Sequence, residues 1–130
     1  MSIVLTTTGR DTALKYITGK TASTEGLLLK LYSNNITPNP NDVATTYTEV
    51  TGGGYAPKTL TPATWTVNSG TASYPAQTWT FTAAVGNIYG YYVVRVTTGD
   101  LVFSEKFAAG PYNVQTNGDN ISVTVNLTVS

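Results

Sequence analysis

Ile121-Ser122-Val123-Thr124-Val125-Asn126-Leu127-Thr128-Val129-Ser130 alternates apolar and polar residues without a break. Ile121, Val123, Val125, Leu127 and Val129 fall on one side; Ser122, Thr124, Asn126, Thr128 and Ser130 fall on the other. Successive side chains of an extended chain point to opposite faces, so this pattern predicts one half-buried strand of about nine residues. Threonine on the wet face fits, because β-branched side chains suit a pleated surface.

The same alternation recurs upstream. Leu27, Leu29 and Leu31 share one face against Leu28, Lys30 and Tyr32. Trp65 and Val67 alternate with Thr64 and Thr66, and residues 77–82 aim Trp79 and Phe81 inward. Residues 89–96 form a long β-rich run interrupted only by Gly90, and residues 101–107 follow it. Weaker strands are expected at residues 57–60 and 3–5. Thr98-Gly99-Asp100 fits a type II′ hairpin turn. Asn117-Gly118-Asp119-Asn120, Asn68-Ser69-Gly70 and Val85-Gly86-Asn87 read as further turns. Gly52-Gly53-Gly54 permits a sharp bend. Helix is scarce: one short turn is expected through Ala13, Leu14 and Ile17, capped by Asp11 and ended by Gly19, and another in residues 42–50. About eight short strands at regular spacing predict an all-β, antiparallel sandwich or a closed barrel. Residues 1–130 read as a single domain, long enough to bury roughly two-thirds of its unfolded surface.

Composition excludes much chemistry. There is no histidine, hence no usual general base or proton shuttle, and the commonest metal ligand is missing. There is no cysteine, hence no disulfide, thiolate nucleophile or structural zinc site. A nucleophilic Ser or Thr would need a Lys or carboxylate beside it, and no motif marks one. The expectation is a protein that is not an enzyme and takes no cofactor and no metal. Seven acids balance seven bases. The bases Arg10, Lys15, Lys20, Lys30, Lys58, Arg95 and Lys106 never adjoin, so no phosphate-binding stripe forms and nucleic acid is not an expected partner. No run approaches the ~20 apolar residues of a membrane span. The first eight residues have no basic start, so no signal peptide is expected and synthesis is placed in a cytoplasm.

Charged residues make up only 11% of the chain. Lys and Glu normally keep small proteins apart in solution. So sparse a surface suits a protein covered by neighbours in an assembly, a secreted fibre or a glycan-binding module.

Local candidates have plain readings. Asn39, Asn41 and Asp42, with Glu49 nearby, could offer oxygen ligands to calcium, but lack the Gly and Glu spacing of an EF-hand. A loop leading to a helix cap is the better reading. Asn117-Gly118-Asp119-Asn120 reads as a turn on the same grounds. Trp65 and Trp79 sit in alternating runs and read as core. Tyr47, Tyr55, Tyr74 and Tyr112 lie in loop-like stretches and read as exposed, better suited to a protein interface than to stacking on sugar. The triplets beginning at Asn35, Asn120 and Asn126 match the glycosylation sequon, which carries no meaning without secretion.

The order of segments adds a resemblance that covers nearly the whole chain. Leu27-Leu28-Leu29-Lys30-Leu31-Tyr32-Ser33-Asn34-Asn35-Ile36-Thr37-Pro38 is followed by Tyr47-Thr48-Glu49-Val50-Thr51-Gly52-Gly53-Gly54-Tyr55-Ala56. A Trp-containing strand at Thr64-Trp65, then Gln77-Thr78-Trp79-Thr80-Phe81, Ile88-Tyr89-Gly90-Tyr91-Tyr92-Val93 and Gly110-Pro111-Tyr112 complete the set. This combination resembles small virion proteins of tailed bacteriophages. The resemblance implies a jelly roll of about eight strands. It also implies a capsid cement or decoration protein that binds the outer surface of the mature head. The implied partners are the major capsid protein and further copies of the chain, as dimer or trimer. The alternative is a tail or head-fibre component that adsorbs to carbohydrate.

Contacts to the capsid are expected from an N-terminal arm within residues 1–20, carrying Ile3, Val4, Leu5, Arg10 and Tyr16. The loop region of residues 34–55 is expected to add Asn34, Asn35, Tyr47 and Tyr55, with Tyr112 as a further interface residue. Arms and loops can order on a partner.

Overall fold

Valine and tyrosine crowd both faces of the 89–96 run, and such a strand must be covered on both sides. The computed structural model describes residues 3–18 and 25–128. It places this run at the centre of a five-stranded antiparallel sheet. The elements, in chain order, are β1 (Val4–Leu5), α1 (Thr7–Ile17), β2 (Leu27–Tyr32), β3 (Lys58–Leu60), β4 (Thr66–Asn68), β5 (Thr71–Ser73) and β6 (Gln77–Thr80). They continue with β7 (Gly86–Ile88), β8 (Gly90–Arg95), β9 (Leu101–Lys106), β10 (Tyr112–Val114), β11 (Asn120–Val123) and β12 (Asn126–Thr128). The large sheet runs β1-β9-β8-β2-β3. Three smaller antiparallel sheets, β12-β5-β4, β11-β6 and β10-β7, form the facing layer. The class is all-β and sandwich-like.

The period of two sorts the core. Leu29 and Leu31 of β2, Tyr91 and Val93 of β8 and Phe103 of β9 point into the sandwich. They meet Trp79, Phe81, Ile88, Ile121, Val123 and Val125 of the other layer. Tyr32, Tyr92, Val94 and Leu101 lie on the opposite face of the large sheet, with Tyr47 packed over them. A bulge in β9 explains how adjacent residues share a face. Val93 stands opposite Phe103 and Val94 opposite Leu101, leaving Val102 unpaired.

One expected strand is divided. The C-terminal run is two strands, because its partner carries an extra residue. Val123 pairs with Gln77 and Asn126 with Ser73, so residues 74–76 stand opposite only Thr124 and Val125. Pro75, which has no N–H to offer a ladder, occupies this bulge. Alternation survives it, with Val125 buried and Leu127 half-buried. Val129 and Ser130 lie outside the described residues. This division and three strands that were not expected, β5, β7 and β10, give twelve short strands among the described residues where about eight were expected; β7 takes in Gly86 and Asn87, which had read as a turn. The hairpin after β8 is also longer than a two-residue turn: Gly99 closes it by donating to the Arg95 carbonyl at 2.9 Å.

The N-terminal arm is corrected. Residues 4–5 pair with β9, and the helix begins at Thr7, not at Asp11. Thr6 is the cap: fully buried, its hydroxyl donates to the Leu101 carbonyl at 2.6 Å and accepts from the Gly9 N–H at 3.0 Å. A segment tied this closely to the sheet is part of the fold. Gly19, expected to end the helix, lies outside the described residues. The second expected helix is a single 3-10 turn, Ala44–Thr46.

Gly9 sets the helix against the sheet. A Cβ built there would run into the carbonyl of Val102. Helix propensity alone would favour Gly9→Ala by about 1 kcal/mol. Overpacking against backbone costs about 1–3 kcal/mol and wins, because the peptide cannot turn aside as a side chain can. Thermal unfolding of Gly9→Ala should therefore show a melting temperature lower by roughly 5 °C; an unchanged or higher value would refute this contact.

Candidate interaction surface

A short amphipathic helix normally turns its apolar stripe inward. α1 does the reverse. Gly9 and Thr12, three residues apart, are buried against the sheet, with Tyr16 half-buried on the same side. Leu14 and Ile17 are 59% and 80% exposed, on the stripe shared with Arg10. Small residues let the helix approach the sheet closely, and the larger apolar ones are left outside.

Other exposed apolar residues stand on neighbouring elements. The Thr7 N–H donates to the Pro40 carbonyl at 3.0 Å, joining the helix start to the 34–48 segment. A cavity of about 230 Å³ opens where Thr8, residues 42–45 and the β8–β9 hairpin meet. Val43 lines it, and Val96 begins the hairpin loop. Both are about half exposed, at 56% and 49%. Of the six large exposed apolar side chains among the described residues, these elements carry four: Leu14, Ile17, Val43 and Val96.

A tyrosine cluster supports this side from below. The rings of Tyr47 and Tyr92 stack at 5.0 Å, and Tyr32 meets Tyr47 edge-on at 4.8 Å. The Tyr47 hydroxyl donates to the Asp42 carboxylate at 2.8 Å and lies 2.7 Å from Ser104 Oγ. A phenol has one proton, so Ser104 is the donor in the second bond. Burial pushes the Tyr47 phenol far above its ordinary range, with the Asp42 carboxylate acting in the same direction. Burial raises Tyr92 to about 12. These phenols stay neutral and serve structure.

An ion pair fixes the base of the helix side. Arg95 Nε lies 2.6 Å from Glu25 Oε1, and both side chains are largely buried. Thr97 donates its hydroxyl to the same carboxylate. The hydrogen bond from Arg95 lowers the Glu25 pKa against the opposing effect of burial, and Tyr16 adds to the lowering. The same bond raises Arg95.

The expected interface residues scatter. Ile3, Val4 and Leu5 are half-buried along the sheet edge, Arg10 is exposed on α1, and Tyr16 is half-buried beside Glu25. Asn34 is a backbone clamp, with Nδ2 donating to the Thr46 carbonyl and Oδ1 accepting from the Thr48 N–H. Asn35 is exposed and takes a hydrogen bond from Lys106. Tyr47 and Tyr74 are buried, against expectation, because their loops fold back over apolar surface. Tyr55 is half-buried: it donates to Glu49 and accepts from the Leu31 N–H, prolonging the β2 ladder. Tyr112 is 42% exposed but belongs to β10, in the other layer. Trp79 is buried as expected, and Trp65 is partly buried against the same core.

The calcium candidates resolve into turns. Asp42 caps its own loop by accepting from the Asn39 N–H, and Asn39 accepts from the Asn41 N–H. Glu49 faces Tyr55 and Lys30 instead. Asp119 accepts from the Gln115 and Thr116 N–H groups, which lowers its pKa. Among the described residues, no three acidic side chains gather as a metal site would require.

Sequence reasoning missed the outward stripe. It placed Leu14 and Ile17 in a helical turn, and that spacing usually marks the core side. The available signal was the opposite stripe, Gly9 and Thr12, whose small residues favour close packing. Comparison with protein-family models, curated proteins and solved structures finds no match.

The lowered Glu25 pKa has a definite sign in stability. Its contribution is present above the ordinary carboxylate value of 4.5 and fades as pH falls through the lower folded value. Unfolding at about pH 6 and about pH 3 should show Glu25→Gln losing less stability on acidification than the parent chain. Equal losses would remove this pair from the acid response.

Proposed function

We propose that this chain is a non-enzymatic structural protein of a tailed-bacteriophage virion. It acts as a capsid cement or decoration protein on the outer surface of the mature head, after synthesis in the host cytoplasm. Its partners in this reading are the major capsid protein and further copies of itself, and the jelly-roll assignment belongs with the same reading. The observation that carries it is the reversed helix: Leu14 and Ile17 face solvent on a unit fixed to the sheet by Thr6. Rigid apolar side chains cost little to immobilise on a partner.

The mechanism is mass action. A protein that binds the expanded shell and not its alternatives stabilises the expanded shell by its binding free energy. Each copy contributes little, and many copies on a lattice sum to a large effect.

Copy number per particle, counted by quantitative mass spectrometry against the major capsid protein, tests the role. A simple ratio with hundreds of copies is expected; a dozen or fewer would move the protein to a tail or vertex. Leu14→Lys with Ile17→Lys should weaken binding to particles at least tenfold while lowering the melting temperature by at most a few degrees, because both side chains are largely in water and Lys suits the last turn of a helix. Undiminished binding by that folded variant would overturn the helix as the gripping element.

A further inference from the structure

Where a helix packs on the edge of a sandwich, large side chains normally close the space beneath it. Under α1 that space stays half open, as a cavity of about 140 Å³. Leu5, Leu27 and Val102 of the large sheet and Leu127 of the smaller-sheet layer line it from one side. Ala13 and Tyr16 of the helix line it from the other. Its surface is carbon almost throughout. Polar groups close by are engaged elsewhere. The Thr12 hydroxyl donates to the Thr8 carbonyl at 2.9 Å, and the Val102 carbonyl accepts from the Thr6 N–H at 3.0 Å. A second hollow shares Tyr16 and Leu27 and reaches Glu25, whose carboxylate already holds Arg95 and Thr97.

We infer that this cavity binds a small uncharged apolar molecule, an aromatic ring or short alkyl chain of about benzene's size. Three observations select that ligand. The first is the lining. A water held in a cavity needs several polar partners, and this surface presents scarcely a polar atom. The second is the charge nearby. An ionised ligand would lose its hydration with no counter-charge in return, since Glu25 is already paired with Arg95. The third is the volume. An apolar cavity of about 150 Å³ stays dry and takes up benzene or xenon. Peptide segments and drug-sized ligands need pockets of about 300 Å³ or more, so a single ring is the fitting size. The open side gives such a molecule a way in without unfolding of the chain.

The inference does not rest on the capsid reading. Methyl NMR of the parent chain, titrated with benzene toward its solubility limit, tests it without any variant. Saturable shifts are expected at the methyl groups of Leu5, Leu27, Val102 and Leu127, and none at Val43. The melting temperature should rise with benzene concentration, because the ligand binds the folded chain. Ala13→Leu should weaken benzene binding at least tenfold while staying folded. A helical side chain leans toward the preceding turn, and a leucine there would occupy the cavity itself. Leu14→Lys with Ile17→Lys should bind benzene as the parent does, so a failed capsid reading and a failed cavity give different results. Four outcomes would each overturn the assignment: no saturable shift; shifts centred on Leu14 and Ile17; contacts that place another part of the chain in the cavity before benzene is added; or full binding by folded Ala13→Leu.

Discussion

Everything in this structure depends on a sheet whose central strand is apolar on both faces. From Gly90 to Val94, β8 is buried at every position. A strand of that kind cannot face water on either side, so the sheet needs two covers. The smaller sheets supply one, through Trp79, Phe81, Ile88 and Ile121. The 34–48 loop supplies the other, through Tyr47. Gly90 marks how tightly the covering is drawn. Its cross-strand partner is Tyr32, whose hydroxyl would lie 2.6 Å from any Cβ added at Gly90. The aromatic ring fills the space that a side chain would occupy.

The two covers give the molecule unlike sides. The loop side holds Asp42 and Asp100, while α1, packed at the edge of the sandwich beside Leu5, Leu27, Val102 and Leu127, carries Arg10, Asp11, Lys15 and the exposed apolar stripe. The smaller-sheet layer has few charges, Asp119 among them, and carries hydroxyl pairs across its strands.

Much of the fold was legible because burial in a sheet leaves a direct record. Leu29 and Leu31 alternate with Lys30 and Tyr32, and Trp79 and Phe81 with Thr78 and Thr80; both sets point as the alternation requires. The candidate surface was far less legible. Tyr47 and Tyr74 were read as exposed because they lie outside regular strands, yet loops that close over apolar surface bury their aromatics. Asn34 looked like a contact residue and is a clamp on its own loop. In α1 the larger apolar residues gave the expected spacing, but Gly9 decided which side faced the sheet.

The sequence by itself determined the strand class, the inward set of residues along each strand and the lack of a catalytic histidine or cysteine. Each of these follows from local chemistry: side chains alternate along a strand whatever it pairs with, and a missing residue type is missing in any fold. Only the tertiary structure decided how strands divide between sheets, where residues 4–17 dock and which tyrosines reach water. Those outcomes rest on contacts between distant residues, such as the Thr6 hydroxyl on the Leu101 carbonyl or three residues at Pro75 facing two. No local pattern encodes such a match, because it exists only once both partners are in place.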